Sequence, residues 1–287
     1  MQRAYLLGEN MTYLIILFIL IILIAIDSNR FVVREYTIYS EKAKHDEDIL
    51  LLADLHGKRY GESNRRLLKR INKLKFDRIY TVGDMLNAPS TLDNFDTSVE
   101  FMRAMASYGE VYYSLGNHEY RAKNNTDAYG ILFDAYETIM NAFGIKLMDN
   151  EKASFENTDV YALSISKMYY NRGKRLPMEK EDVSNLIGEP DPSKFNILLA
   201  HNPEYFDAYA SWGADLVLSG HMHGGVIRLF KGMISSRFTL FPKYDGGYFK
   251  KNNAQMVVSR GLGAHTIPFR LFNPAEIVLI HLKSVER

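Results

Sequence analysis

The chain has 287 residues, 47% of them hydrophobic and 24% charged, which excludes a disordered or collagen-like protein and leaves ample length for a buried core. Its 35 Lys and Arg balance 34 Asp and Glu, so there is no basic field of the kind a general nucleic-acid binder needs. Cysteine is absent, which removes disulfides, thiolate metal sites and cysteine nucleophiles together.

The first element is an apolar run, residues 11–26, interrupted only by Thr12. Sixteen helical residues reach about 24 Å, against a hydrocarbon layer of about 30 Å. A signal peptide would need small residues before a cleavage point, and Ala25-Ile26-Asp27-Ser28 supplies them poorly. The expectation is therefore an uncleaved membrane anchor over residues 1–30, followed by one domain over 31–287. Arg30, Arg34, Lys42 and Lys44 after the run favour an internal domain by charge counting. A large domain behind a lone N-terminal anchor is nevertheless translocated regardless of such charges, and an extracytoplasmic domain is expected.

Beyond residue 31, short apolar runs alternate with amphipathic stretches, the pattern of an α/β domain. Strands are predicted at 33–39, 49–53, 78–82, 110–115, 160–164, 195–200, 216–219, 226–229, 256–259 and 276–282. Helices are predicted at 63–74, 96–107, 129–143, 178–186 and 204–212, with Ser63 and Asp96 as N-caps and Gly109 and Gly144 as stops. The polar segment 167–194, containing Pro177, Pro190 and Pro192, is expected to be a loop or small cap.

Five of these strands run into residues that bind metal. They are followed by Asp54-Leu55-His56, Gly83-Asp84, Gly116-Asn117-His118-Glu119, His201-Asn202 and Gly220-His221-Met222-His223. In open α/β sheets, ligands bind outside the carboxyl ends of the strands. Taken singly, most of these are ordinary turn residues or structural histidines; Gly-His-x-His before Gly224-Gly225 is the most specific. Together they place two carboxylates, an amide and four imidazoles on one rim. Seven such ligands exceed one tetrahedral ion and suit two divalent ions, Mn, Fe or Zn. Two ions about 3.5–4 Å apart can hold a bridging hydroxide and clamp a phosphoryl group.

In their order and content these five blocks resemble the calcineurin-like metallophosphoesterase superfamily, over a stretch from about Ile49 to the C-terminus. The tail Ser259-Arg260-Gly261-Leu262-Gly263, with Pro268, Arg270, Phe272, Pro274, Glu276 and Ile277, is similar to a bacterial branch that often carries an N-terminal membrane or export segment. The resemblance implies a four-layer α/β/β/α sandwich of two mixed sheets. It also implies that Asp54, His56 and His223 hold one metal, that Asn117, His201 and His221 hold the other, and that Asp84 bridges them. His118 would protonate the leaving oxygen or stabilise transition-state charge, with Glu119 orienting its ring. The implied activity is hydrolysis of a phosphomonoester, phosphodiester or pyrophosphate near a membrane, on a small-molecule or lipid substrate. Alternatives are a nuclease, which the balanced charge opposes, and a metal-binding scaffold without catalysis, which the intact His118 opposes. Outside the blocks, Arg121 is expected on the solvated surface or against a substrate phosphate; Arg260, His265 and Arg270 are expected to face the site from the C-terminal loop, with Arg270 alternatively paired to Glu276; and Tyr169 and Tyr170 are expected to line a cleft or sit over the core. Tyr244 and Tyr248 are expected to pack.

Overall fold

The computed structural model describes residues 2–89, 91–171, 176–228, 232–234, 240–264, 267 and 269–285. The chain opens with helix α1 (Gln2–Ser28), then β1 (Phe31–Ser40), β2 (Glu47–Leu52), α2 (Arg65–Ile71), β3 (Arg78–Val82), α3 (Leu92–Tyr108) and β4 (Val111–Ser114). Three helices follow, α4 (Asn117–Asn124), α5 (Thr126–Tyr129) and α6 (Leu132–Ala142). Next come β5 (Lys146–Met148), β6 (Lys152–Ser154), β7 (Thr158–Leu163), α7 (Lys180–Ile187), β8 (Phe195–Ala200), α8 (Phe206–Trp212) and β9 (Leu216–Ser219). The chain finishes with β10 (Ile227–Arg228), β11 (Gly232–Ile234), β12 (Gly247–Lys251), β13 (Ala254–Val258) and β14 (Ala275–Ser284).

Among the described residues the strands form two six-stranded sheets, ordered β1-β14-β2-β3-β4-β5 and β12-β13-β9-β8-β7-β6. Both are mixed. The first has one antiparallel pairing, β14 with β2; the second is antiparallel only at its margins, β12 with β13 and β6 with β7. Alternation along each strand decides the layers, because successive side chains point to opposite faces. Ile49 and Leu51 of β2 meet Ile197 and Leu199 of β8 between the sheets. Leu50 and Leu52 face outward to Leu67 of α2, Phe101 and Met105 of α3 and Met140 of α6. Leu198 of β8 and Val217 of β9 point the other way, to Val183 of α7 and Phe206, Tyr209 and Trp212 of α8. The result is a four-layer α/β/β/α sandwich preceded by an apolar helix, as the family resemblance implied.

Boundary differences have local causes. Helix α3 starts at Leu92 rather than residue 96 because Thr91, not Asp96, caps it by accepting the Asn94 amide. Ser63 is no cap; it lies in a 3-10 turn, Glu62–Asn64, that precedes α2. Helix α4 was not anticipated, since the Asn-His-Glu of its first turn reads as a polar loop. Residue 229 of the strand expected at 226–229 lies outside the described residues, as do 172–175 of the predicted loop; α7 takes the place of the helix expected at 178–186 within that segment. Helix α1 is longer than the sixteen-residue run: its 27 residues span about 40 Å. Residues Asn10–Ser28 are long and apolar enough to cross a membrane, and almost none of that stretch is buried by the rest of the chain, so α1 is not a core helix.

Because Leu51 is fully enclosed between the sheets, Leu51→Ala is expected to cost about 2–5 kcal/mol. Leu92→Ala, at a side chain 84% exposed, should stay within about 0.5 kcal/mol of the parent. Urea unfolding followed by circular dichroism measures both.

Candidate metal centre

The three parallel strands β2, β3 and β4 lie side by side, and so do β8 and β9. Their carboxyl ends therefore open at common edges, and the polar tips follow. Asp54 follows β2, Asp84 follows β3, Asn117 opens α4 after β4, His201 follows β8, and His221 and His223 follow β9. The loops are stitched to one another by backbone bonds. The Asp54 amide donates to Gly83 O at 3.0 Å, the His56 amide to Asp84 O at 3.2 Å, and the Gly220 amide to His201 O at 3.1 Å. The two edges join where the His221 amide donates to Asp54 Oδ2 at 3.0 Å.

Glycine permits this proximity. A Cβ on Gly83 would overlap the Gly116 backbone, and a Cβ on Gly116 would overlap the amide and carboxylate of Asp84. The neighbouring residues carry the corresponding strain. Asp54, His56, Asp84, His221 and His223 all have positive φ, between 48° and 69°. Side chains other than glycine avoid that region unless their surroundings hold them there, and such positions concentrate at functional sites.

Ligand atoms of Asp54, His56 and His223 lie within 4.8 Å of one another, and so do those of Asp84, His201 and His221. Asp84 stands between the groups, with Oδ2 3.6 Å from His56 Nε2 and 3.2 Å from His201 Nε2. Asp54 Oδ1 is 3.8 Å from His56 Nε2 and 3.5 Å from His223 Nε2. Both carboxylates are buried. Burial alone would raise Asp54, yet His223, His56 and His201 hold it below the usual carboxylate range. Asp84 is held well below it by His201 and His118 against the same penalty. The field acts on the imidazoles in turn: despite burial, Asp84 pushes His201 up to about 9, whereas burial brings His223 down to about 3. No Lys or Arg pairs with Asp54 or Asp84 among the described residues, so this is a buried negative centre suited to cations.

The donor set fits metal ions. His56 Nδ1 lies 2.8 Å from Asn87 Oδ1, His201 Nδ1 2.6 Å from Val82 O, and His223 Nδ1 3.1 Å from Gly263 O. An imidazole nitrogen facing a carbonyl carries a proton, so in the neutral form that a metal binds it is the Nε2 lone pair that is turned toward the carboxylates. Asn117 Oδ1 and His201 Nε2 are buried without a hydrogen-bond partner. His118 is wired the opposite way. Its Nδ1 accepts the Ala88 amide at 2.9 Å, so the neutral ring carries its proton on Nε2. Its own amide donates to Asp84 Oδ1 at 2.8 Å.

One role needs correction. Glu119 does not orient the His118 ring. Oε2 accepts the amides of Asp84 at 2.9 Å and Gly116 at 3.0 Å; Oε1 accepts the Leu86 amide at 2.9 Å and the Tyr113 hydroxyl at 2.6 Å. Both oxygens are committed to tying the loops after β3 and β4 together. The ring is held from Ala88 instead. Arg270 does not pair with Glu276: it donates to the carbonyls of Arg260, Gly261, Gly263 and His223, while Arg34 and Arg260 take Glu276. Arg121 donates to Ala88 O at 3.3 Å. Tyr170 borders the site, its ring 5.1 Å from that of His221, whereas Tyr169 stacks edge-on against Tyr205. Tyr244 packs between Phe206 and Phe249, but Tyr248 is 43% exposed. His265 and Pro268 lie outside the described residues. Asn87 and the carbonyls of Val82 and Gly263 were not anticipated; backbone oxygens leave no mark in a sequence.

The Glu119 network is testable. Glu119→Gln turns an amino group toward donors and leaves buried amides unsatisfied, at about 1–3 kcal/mol each. Thermal unfolding should fall by roughly 2–4 °C per kcal/mol, with weaker manganese binding by calorimetry. An unchanged melting temperature with lost turnover would instead assign Glu119 a chemical role.

The calcineurin-like phosphoesterase family description matches residues 48–225, more than half of the chain and all the polar tips. An uncharacterized metallophosphoesterase of Campylobacter jejuni is 29% identical over 245 residues, covering 84% of this chain and 60% of that protein. The uncharacterized metallophosphoesterase YkuE of Bacillus subtilis is 27% identical over 257 residues, covering 87% and 85%. A zebrafish protein named as a transmembrane protein with metallophosphoesterase domain is 28% identical over 82% of this chain and 53% of its own length. The chain thus spans little more than half of two of these relatives. Strand order, converging tips and family match agree: this chain belongs to the calcineurin-like phosphoesterases.

Proposed function

We propose that the protein hydrolyses a phosphomonoester, phosphodiester or pyrophosphate with two divalent ions, Mn, Fe or Zn, held at the rim of its sheets. The observation that carries this reading is the position of Asp84, whose Oδ2 lies within 3.6 Å of both His56 Nε2 and His201 Nε2. Asp54, His56 and His223 would hold one ion and Asn117, His201 and His221 the other, with Asp84 shared. A pair of ions bound there supplies water acidified toward neutral pH and positive charge for the phosphoryl oxygens.

The chain's own groups supply the rest. The Nδ1 protons of His56, His201 and His223 are spent on oxygen acceptors, which keeps those rings turned with Nε2 inward. His118 keeps its proton on Nε2, and its ring packs edge-on 4.9 Å from that of His56. As water adds to phosphorus and the bond to the leaving oxygen breaks, the Nε2–H of the neutral His118 ring donates a hydrogen bond to that oxygen and stabilises its developing charge, and the proton shed by the water reaches it through solvent. Glu119 is a positioning residue that fixes the Asp84 and Gly116 amides.

The test uses full-length protein with added manganese, assayed on p-nitrophenyl phosphate, bis(p-nitrophenyl) phosphate and an alkyl phosphoester. Asp84→Asn should lose metal and turnover together. His118→Ala should keep its metal, and on the poor alkyl leaving group should lose about 10²–10⁴-fold in turnover. Wild-type rates from His118→Ala on that substrate would end the assignment of His118 to the leaving oxygen, and a metal-replete Asp84→Asn would end the shared-carboxylate assignment.

A further inference from the structure

Helix α1 is fastened to the same loops that build the metal centre. Buried Asp27 accepts the Phe272 amide and pairs with Arg30 at 2.6 Å. Ser28 Oγ accepts the Arg270 amide at 3.0 Å, and Asn29 Oδ1 accepts Lys58 Nζ at 3.0 Å. The Arg66 guanidinium reaches Asn29 O at 3.4 Å. Lys58 lies two residues beyond His56, and Arg270 holds the carbonyls of His223 and Gly263. No flexible linker intervenes, because β1 begins at Phe31 and pairs with β14 from its first residue. The direction of the helix is thereby set relative to the site.

A cavity of about 260 Å³ lies between the two, lined by Ser28, His56, Lys58, Tyr60, Gly263 and Arg270 among others. One wall belongs to the metal centre and another to the end of the apolar helix. Ser28 is two residues past Ile26, where the apolar run stops, or about 3 Å along a helix. The difference between a bilayer of about 40–45 Å and its core of about 30 Å leaves a polar layer roughly 5–8 Å deep on each side. With α1 in a membrane, the Ser28 wall therefore sits within the headgroup layer. The chemistry of the cavity suits a phosphate. Lys58 spends one of its three N–H donors on Asn29, while the Arg270 guanidinium is committed to carbonyls. Phe272, 44% exposed and bonded through its amide to Asp27, adds an apolar side chain beside the helix end.

We infer that the substrate is a membrane amphiphile whose phosphate ester or anhydride lies in the headgroup layer. Its chains stay in the bilayer beside α1, its head enters the cavity past Lys58, and its phosphorus reaches the centre beside His56. This inference rests on the hydrolase reading above and adds the source of the phosphate. It also requires α1 to remain attached, since Asp27, Ser28 and Asn29 are part of the folded site.

The test reconstitutes full-length protein in phosphatidylcholine vesicles carrying a minor fraction of phosphatidate or of CDP-diacylglycerol. Each is compared with its short-chain, water-soluble counterpart and with bis(p-nitrophenyl) phosphate. At least one bilayer-lodged lipid should exceed its soluble counterpart in kcat/KM by about tenfold or more. Inserting a flexible Gly-Ser segment between Ile26 and Asp27 keeps the enzyme on the vesicle and leaves Asp27, Ser28 and Asn29 on their partners, but releases the set depth. It should lower lipid turnover by about tenfold or more, with aryl phosphate turnover nearly unchanged. Independently, Lys58→Ala should raise KM for the lipid several-fold while kcat holds. Soluble counterparts cleaved as fast as the lipids would overturn the inference, as would aryl phosphate cleavage without lipid cleavage, or lipid turnover indifferent to the inserted segment. Failure to cleave any substrate would fell the hydrolase reading itself.

Discussion

The buried carboxylate of Asp84 is the constraint around which the molecule is arranged. Its Oδ1 accepts the His118 amide, and its Oδ2 faces His56 and His201 from opposite sheets. An unpaired charge so enclosed would cost several kcal/mol, and no lysine or arginine among the described residues offsets it. Surrounding imidazoles, and the cations they are suited to bind, are the compensation. The same arrangement explains the polar network beneath. Glu119 is itself buried, and it stays useful as an acceptor because three amides and a tyrosine hydroxyl converge on it.

Strain and close approach follow from bringing several loops to one point. Five residues at the rim adopt a left-handed backbone that asparagine or glycine would tolerate better. Their neighbours at Gly83 and Gly116 lack side chains because the loops touch at the backbone. A fold free of this centre would have no reason to accept either cost. Stability is supplied elsewhere, by three apolar layers between and outside the sheets.

The end of α1 belongs to this arrangement as well. Arg270 bonds through its guanidinium to the loop carrying His223 and through its amide to Ser28, so the helix and the centre share a fastening. On the inference drawn above, α1 in a membrane would set the height at which the site operates.

The two-sheet layering was implied by the family resemblance; periodicity in the sequence was enough for an α/β domain, since alternation along a strand is a local property of consecutive residues. Strands β3, β8 and β9 agree with it residue for residue. Residue chemistry at strand ends was enough to pick out Asp54, His56, Asp84, Asn117, His201, His221 and His223 as one group, because parallel strands open their carboxyl ends at a common edge. Helix α4 escaped notice because its first turn is polar and its stability comes from Glu119 bonding across to other loops. The role that the resemblance implied for Glu119 differs for the same reason: tertiary packing turned its oxygens toward Asp84, Leu86 and Gly116 rather than toward the His118 ring. The tautomers of the histidines, the binding of Arg270 to carbonyls and the seating of Ser28 beside the cavity were likewise decided only in three dimensions. They depend on backbone oxygens and amides, which every residue carries and no sequence distinguishes.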